Sequence, residues 1–367
     1  MGVATHDKTF SIFKAIGIIL IVMGHTAINT PLYTFTYLFH IPIFFFVAGY
    51  FFKDDYIENP WLFLRKKLVR FYIPWLAYGL VFVLLHNLFL KYHLIAYDFH
   101  AQKVIEPYTF SDIIQKSLGV LTFFQWKEPL LAPLWFLFGM FSGLSVFFAV
   151  TWVSKRFCPS HSERCRAILI ALCLIIGFVG NAYHLHLSII YRPLIIAGLI
   201  YFGKLFRLYQ SKIKLTPLFA GVCLAALLVA TALKYRVNVG GMLFGNPMVF
   251  LLLSCAGCYL VLTLANFINT RTKYVRGLFD FIGKYTFTIM ALQYLAFKLA
   301  ALVQIWVCDY PIRSLAYYPV IPRNTHYWWI VYTIVGITVP LVLGFSAEQL
   351  WKRIQRILPN FAQQKVN

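Results

Sequence analysis

The chain has 367 residues, of which 60% are hydrophobic and 12% are charged, and its mean hydropathy is +0.73. Soluble domains carry about 25% charged residues, so this composition excludes an ordinary soluble enzyme and predicts an integral membrane protein. The formal net charge of +21 is also found in nucleic-acid-binding proteins, but here the basic residues alternate with long apolar segments. That arrangement is typical of membrane topology, so we expect membrane lipids and no nucleic acid as partners.

Ten apolar segments approach the length of about 20 residues that a helix needs to cross a bilayer. No signal-peptide cleavage site follows the first of them, so we expect a retained helix. The sequence predicts an all-α polytopic helix bundle of about ten transmembrane helices in a single domain, residues 1–367, with a tail at about 346–367. The predicted spans are 10–28, 33–52, 71–92, 133–153, 167–183, 187–206, 216–234, 248–268, 281–300 and 327–345.

The basic residues set the expected orientation, because cytoplasmic loops carry an excess of lysine and arginine. If the N-terminus lies inside, the inner segments hold 22 of the 33 basic residues and the outer segments hold eight. The other three, Lys14, Arg192 and Lys298, fall within spans. We therefore predict that both termini are cytoplasmic.

The first span contains two ionisable residues, Lys14 and His25, which are eleven positions apart. At about 100° per residue, eleven steps make roughly three turns, so the two side chains share one helix face about 16 Å apart. Ionisable side chains are costly inside a bilayer and indicate a functional site by default. A cation near one leaflet and a proton acceptor near the other favour chemistry that is carried through the membrane.

The second span carries another histidine, His40, at a depth similar to that of His25. A short hairpin, Asn29–Leu32, joins the two spans, so the two imidazoles are expected to face each other. Pro42 lacks an amide hydrogen and is expected to kink the helix near His40. The alternative is that each histidine only hydrogen-bonds a neighbouring helix.

Two residues near predicted outer span ends are candidates for substrate binding. Trp135 is suited either to stack on a sugar ring or to anchor the fourth span at the membrane interface. Arg192 is suited either to contact an anionic or sugar acceptor or to extend its charge to the membrane surface.

Two other patterns are less specific. The stretch 111–126 is predicted as an amphipathic helix that lies at the membrane interface. Cys255 and Cys258 form a C-x-x-C in an apolar span without further ligands, so we expect packing there and no metal site.

Five motifs occur in the order found in a known family. Together they cover most of the chain, which resembles the membrane-bound acyltransferase-3 family of O-acyltransferases and is most similar to its fucose 4-O-acetylase-like members. The motifs are Lys14 to His25 in KAIGIILIVMGH; Phe39, His40, Pro42, Phe44–Phe46, Gly49 and Tyr50; RKKLVRFYIPW with Lys67, Arg70 and Pro74; Pro133 to Leu137; and Ile282 to Thr286.

The chain departs from this family pattern at two positions. The family often has an acidic residue three positions before the Lys or Arg, where this chain has Ser11. In the late span the family often has a histidine where this chain has Gln293. Glutamine forms hydrogen bonds but takes no proton at neutral pH, so we expect Gln293 to position substrate.

The resemblance implies an O-acetyltransferase in a bacterial inner membrane. It would move an acyl group, most simply acetyl from cytosolic acetyl-CoA, to a hydroxyl of a cell-surface or lipid-linked glycan on the outer side. His25 would act as general base, and His40 would stabilise the oxyanion or orient substrate. An acyl-histidine intermediate stays open as a rival mechanism.

Phosphates on CoA favour a basic inner mouth. The residues expected to bind them are Lys14, Lys66, Lys67 and Arg70, and the alternative for the last three is an ordinary topology anchor.

Two other function classes remain open. Midplane polar residues also suit an exporter of a glycan or its lipid-linked precursor, although no internal repeat of the transporter type is present. A structural partner in a polysaccharide-synthesis complex is a third possibility, in which His25 would be replaceable.

Overall fold

The computed structural model describes residues 8–98, 103–122, 128–183, 187–322 and 327–363, and these residues are mostly helical. The predicted all-α fold is confirmed, with one antiparallel pair of two-residue strands, Tyr97–Asp98 and Lys103–Val104. The described helices are α1 Lys8–Gly24, α2 Thr30–Tyr37, α3 Pro42–Tyr50, α4 Pro60–Lys67, α5 Ile73–Lys91, α6 Phe110–Leu121, α7 Trp135–Phe157, α8 Ser162–Ala182, α9 Ser188–Tyr209, α10 Pro217–Ala232, α11 Pro247–Arg271, α12 Lys273–Lys284, α13 Thr286–Cys308 and α14 Trp328–Gln363.

Shorter turns connect several of these helices. A π-helical segment, Leu68–Tyr72, joins α4 to α5 without a break. Four 3₁₀ turns lie at Asp54–Tyr56, Pro129–Leu134, Pro159–His161 and Ile312–Ala316.

Eight helical segments of the described chain are long and apolar enough to cross a membrane. They lie at eight of the ten predicted positions, and the chain is therefore a multi-pass membrane protein. The other two predicted spans, 10–28 and 216–234, correspond to α1 and α10, which have only 17 and 16 residues. The count of ten and the orientation stay predictions. The last span continues as one helix beyond residue 345, and residues 364–367 of the predicted tail lie outside the described residues.

The second predicted span is broken as the proline suggests. Helix α2 ends at Tyr37, and Pro42 is the first residue of α3, where its missing amide hydrogen costs no helical hydrogen bond. The predicted interruption near His40 is confirmed. It places His40 in a turn whose backbone amide still bonds the Thr36 carbonyl, at 3.1 Å.

Helix α6 lies alongside α5 and antiparallel to it, so the predicted position flat on the interface is wrong. Near its start, the backbone of Tyr108 is held by the Asn87 side chain at 2.7 and 2.8 Å. At its end, the Val120 carbonyl accepts from Trp75 Nε1 at 2.9 Å. Trp75 and Asn87 are near opposite ends of α5, so α6 runs along the length of α5 in the opposite direction. Residues 123–126 of the predicted helix lie outside the described residues.

Two glycines let α3 and α9 cross in close contact. A Cβ atom on Gly49 would lie 1.7 Å from the Ile200 carbonyl oxygen, and one on Gly203 would lie 1.9 Å from the Phe46 carbonyl oxygen. Small residues allow such backbone approach between membrane helices, where packing rather than the hydrophobic effect drives association. This crossing holds the helix that follows His40 in place.

Candidate active site

A cavity of about 810 Å³ opens beside the C-terminal end of α1. Its walls include His25, Tyr37, Trp135, Asn238 and Tyr294, which come from well-separated parts of the chain. A volume of this size is typical of small-molecule sites. Aromatic faces beside an amide and hydroxyl groups are suited to a sugar, which has both apolar C–H faces and hydroxyls.

His25 lies at the wall of this cavity. Helix α1 ends at Gly24, before the predicted end at 28, so His25 occupies the turn that follows, with its amide 3.1 Å from the Val22 carbonyl. The Tyr294 ring packs edge-on against the imidazole with ring centroids 5.2 Å apart. Nδ1 of His25 is buried and has no hydrogen-bond partner in the described part of the chain. Nε2 is therefore the ring nitrogen available to a molecule in the cavity.

His40 shares a smaller space with His25. This space, about 50 Å³, is lined by both histidines together with Tyr37 and Trp135, which also line the larger cavity. Nδ1 of His40 donates to the Thr36 carbonyl at 2.7 Å. In a neutral ring Nε2 is then an acceptor, so His40 is suited to orient a substrate hydroxyl rather than to donate to an oxyanion.

Trp135 and Arg192, both predicted at the outer site, lie against each other. The Arg192 guanidinium sits 5.3 Å from the centre of the Trp135 ring and donates to the Gly240 carbonyl at 2.9 Å. Trp135 lines the cavity, whereas Arg192 lies behind it and lines neither space. Arg192 is partly buried rather than extended to the surface.

Gln293 lies next to His25 rather than in the cavity. Its side chain is fully buried on α13 and lines neither space. Its amide nitrogen donates to the Met290 carbonyl at 3.1 Å, and its Oε1 has no partner among the described residues. The Gln293 side chain and the Ile21 carbonyl are close enough to His25 to act on it electrostatically, although no bond to Nδ1 has ordinary hydrogen-bond geometry.

A buried lysine on α13 holds another wall of the cavity. Nζ of Lys298, whose side chain is almost completely buried, donates to the carbonyls of Leu315 and Tyr317 at 2.9 and 2.7 Å. Tyr317 and Tyr318 line the cavity. A buried ammonium that binds two carbonyls is well satisfied, so Lys298 fixes this loop.

A polar network supports the 3₁₀ turn Pro129–Leu134, of which Ala132 and Pro133 line the cavity. Glu128, immediately before the turn, lies 3.1 Å from His86 Nδ1 and accepts from the Tyr108 hydroxyl at 2.7 Å. The His86 and Tyr108 rings stack with centroids 3.5 Å apart. Burial, followed by the Glu128 carboxylate, raises the pKa of Tyr108 well above its usual range. This phenol therefore stays a hydrogen-bond donor.

A separate group of basic residues lies near the other end of α1. Arg70 lies within electrostatic range of both Lys14 and Lys67. None of the three forms an ion pair in the described part of the chain. Lys66 is exposed, and its Nζ lies 5.7 Å from the centre of the Tyr56 ring. We call Lys14, Lys67 and Arg70 the basic cluster.

An acidic residue from another helix lies near Lys14, although Ser11 occupies the position that is often acidic in the family. Asp280 on α12 lies within electrostatic range of Lys14. The Ser11 hydroxyl donates to the Asp280 carbonyl at 3.2 Å, and Gly283 packs closely on the Ser11 backbone. Ser11 thus helps to bring α12 and its carboxylate toward Lys14.

Comparison with known proteins identifies the family of this chain. A family model described as an acyltransferase domain matches residues 8–345, nearly the whole chain. The chain belongs to the acyltransferase-3 family. The resemblance inferred from the motifs is confirmed, and the chain is a membrane protein of an acyltransferase family. No curated protein and no solved structure was found to match it.

Several cavity residues of this acyltransferase-3 protein were not identified from the sequence. Asn238 and Gly240 lie in a loop before α11, and Tyr317 and Tyr318 lie in a loop before α14. The signals available were the Gly240–Gly241 pair and a lysine, Lys298, within a predicted span.

Proposed function

We propose that this protein is an O-acyltransferase that moves an acyl group, in the simplest case acetyl, from acyl-CoA to a sugar hydroxyl. The donor binds at the basic cluster on the cytoplasmic side, and the acceptor is a cell-surface or lipid-linked glycan that enters the cavity on the outer side. The observation that carries the proposal is that His25 and His40 line one space at the opposite end of α1 from the basic cluster.

In the reaction, the sugar hydroxyl attacks the thioester carbonyl. The new O–C bond forms as His25 Nε2 takes the hydroxyl proton, and the C–S bond then breaks. The proton passes from His25 to the departing thiolate, which leaves as CoA–SH. The attacking hydroxyl gives its single proton to His25, so His40, whose Nε2 is an acceptor when the ring is neutral, orients the sugar by accepting from a neighbouring hydroxyl. An acyl-histidine intermediate would use the same residues in two steps.

The donor assignment is supported by the charge of the basic cluster. Three cations without a carboxylate partner at hydrogen-bond distance are suited to phosphate oxygens. Lys67 Nζ also lies 5.4 Å from the Tyr56 ring and 5.7 Å from the Phe63 ring. These aromatic contacts stabilise the ammonium while leaving donors for an anion.

The acceptor assignment is supported by the lining of the cavity. Tyr33 and Tyr37 stack with centroids 4.0 Å apart and line the same cavity as Trp135. Asn238 adds an amide that donates and accepts. A sugar that packs on these aromatic rings would have a hydroxyl near Nε2 of His25.

The test compares surface glycans of the source cell. Cells that lack the gene are complemented with the wild-type gene, with His25→Ala or with an empty vector, and their glycans are analysed by mass before and after base treatment. The proposal predicts that base-labile acetyl groups are lost in the empty-vector and His25→Ala cells and are restored by the wild type.

Two other outcomes would contradict the proposal. Full acetylation with His25→Ala would exclude His25 as the general base. If the amount of surface glycan falls while its acetylation stays constant, the protein exports a glycan and does not acylate it.

A further inference from the structure

His25 and Gln293 each leave one buried polar atom without a partner. In the described part of the chain, Nδ1 of His25 and Oε1 of Gln293 both lack a hydrogen bond. Leaving a buried polar atom unpaired is costly, so each such atom in a native protein needs an explanation. These two atoms are complementary, because an Nδ1–H is a donor and Oε1 is an acceptor.

The two side chains also lie in the same place. Met290, Gln293 and Tyr294 occupy one face of α13, since residues three and four apart are neighbours on a helix. Met290 shares the small space with His25, and the Tyr294 ring lies against the imidazole. Because the Gln293 amide nitrogen bonds the Met290 carbonyl, Oε1 is the amide atom left for His25.

A general base that uses Nε2 must carry its proton on Nδ1, and a partner of Nδ1 selects that tautomer. His40 has such a partner in the Thr36 carbonyl. His25 lacks such a bond in the described part of the chain, and the Ile21 carbonyl and the Gln293 side chain are the two groups near enough to supply it. Gln293 is the side chain that offers an acceptor, Oε1, which is itself left unpaired.

We propose that Gln293 is a positioning residue that accepts the Nδ1–H of His25 and so keeps the Nε2 lone pair directed into the cavity. The inference rests on the proposed role of His25 as general base. It replaces the expectation that Gln293 contacts substrate. Gln293 is 0% exposed and lines neither space, so a molecule in the cavity meets His25 and not Gln293.

The tautomer of His25 is directly measurable. Protein labelled with ¹⁵N-histidine is placed in lipid bilayers, and its imidazole nitrogens are observed by solid-state NMR, with the His25 signals assigned by their loss in His25→Gln. The wild type should show the Nδ1–H form at neutral pH, and Gln293→Met should shift His25 toward the Nε2–H form. Gln304→Met is the control, because Gln304 is also fully buried on α13 but its Oε1 bonds Tyr332, at 2.7 Å.

Activity supplies a second readout, with acetyl transfer from [¹⁴C]acetyl-CoA measured in membrane vesicles of the source cell. Gln293→Met should lower the maximal rate about 10- to 100-fold, the loss typical when the partner that orients a metal-bound histidine is removed, with an unchanged KM for acetyl-CoA. Gln293→Glu should recover part of the rate. The acid limb of its pH–rate profile should lie at higher pH than that of the wild type, because a carboxylate stabilises the imidazolium form of His25.

An Nε2–H tautomer in the wild type, or an unchanged tautomer in Gln293→Met, would overturn the inference. These results are distinct from failure of the proposed function, which would appear as full activity in His25→Ala.

Discussion

The guanidinium of Arg192 lies 5.3 Å over the centre of the Trp135 ring, and the same group donates to the Gly240 carbonyl. A Cβ atom on Gly240 would lie 3.0 Å from Cε2 and Cζ2 of the Trp135 ring. The indole is thus in contact with both a cation and the backbone segment that the cation binds. Because Trp135 and Gly240 both line the cavity, Arg192 determines the shape of a wall that it does not itself form.

Replacing Arg192 should therefore weaken acceptor use and leave donor use unchanged. Arg192→Met keeps the aliphatic stem but removes the hydrogen bond to Gly240 and the cation–π contact, which is worth about 0.5–2 kcal/mol. Acetyl transfer from [¹⁴C]acetyl-CoA should fall with no change in the KM for acetyl-CoA. Arg236→Met, at an exposed residue before the same loop, is the control, and an equal loss in both variants would contradict the assignment.

Replacing His25 should abolish transfer without affecting the fold. Loss of a general base typically lowers a rate by about 10² to 10⁴, so His25→Ala should retain a trace of activity at most. Its expression and membrane insertion should match those of the wild type. His161→Ala, an exposed histidine far along the chain, should be fully active, and near-normal transfer by His25→Ala would exclude His25 from the chemistry.

Charge removal in the basic cluster should raise the KM for acetyl-CoA. The double variant Lys67→Gln/Arg70→Gln removes two cations that lack ion pairs, and Lys14→Met should be more severe than Lys14→Arg because arginine keeps the charge. The matched control is Lys155→Gln/Arg156→Gln, which removes the same charge from the end of α7. If both double variants behave alike while topology is preserved, Lys67 and Arg70 are only topology anchors.

The α3–α9 crossing should be intolerant of side chains. Gly203→Val would place methyl groups where the Phe46 backbone lies, and overpacking typically costs about 1–3 kcal/mol or more. Its melting temperature in detergent should therefore fall well below that of the wild type. Gly221→Val on α10, where a Cβ meets nothing within 4 Å, should melt close to the wild type. Equal melting temperatures for the two variants would show that this crossing adds little stability.

The sequence predicted those parts of the fold that depend on local pattern. Apolar length located the helices, and the missing amide hydrogen of Pro42 located the break beside His40. The sequence did not predict the orientation of α6, whose exposed apolar residues include Phe110, Ile114 and Leu118. An amphipathic pattern shows that one face is apolar but not whether that face meets lipid along a neighbouring helix or at the interface.

The candidate site was predicted where its residues are close in sequence and was missed where they are not. The pairing of His25 with His40 follows from a short hairpin. Asn238, Tyr317 and Asp280 reach the site through long-range packing, which leaves no periodic signal in one chain. Ser11 illustrates the difference, because the sequence shows the missing carboxylate but not that α12 brings one toward Lys14.

In the proposed reaction, an acyl group bound from one face of the membrane reaches an acceptor on the other face by way of His25. Sealed inverted membrane vesicles of the source cell, given external [¹⁴C]acetyl-CoA, separate this route from a one-sided reaction. We expect base-labile label on glycans trapped inside wild-type vesicles, little or none with His25→Ala, and none in right-side-out vesicles given the same donor. Label that appears only when donor and acceptor share a side, or equally with His25→Ala, would exclude transfer through the membrane by His25.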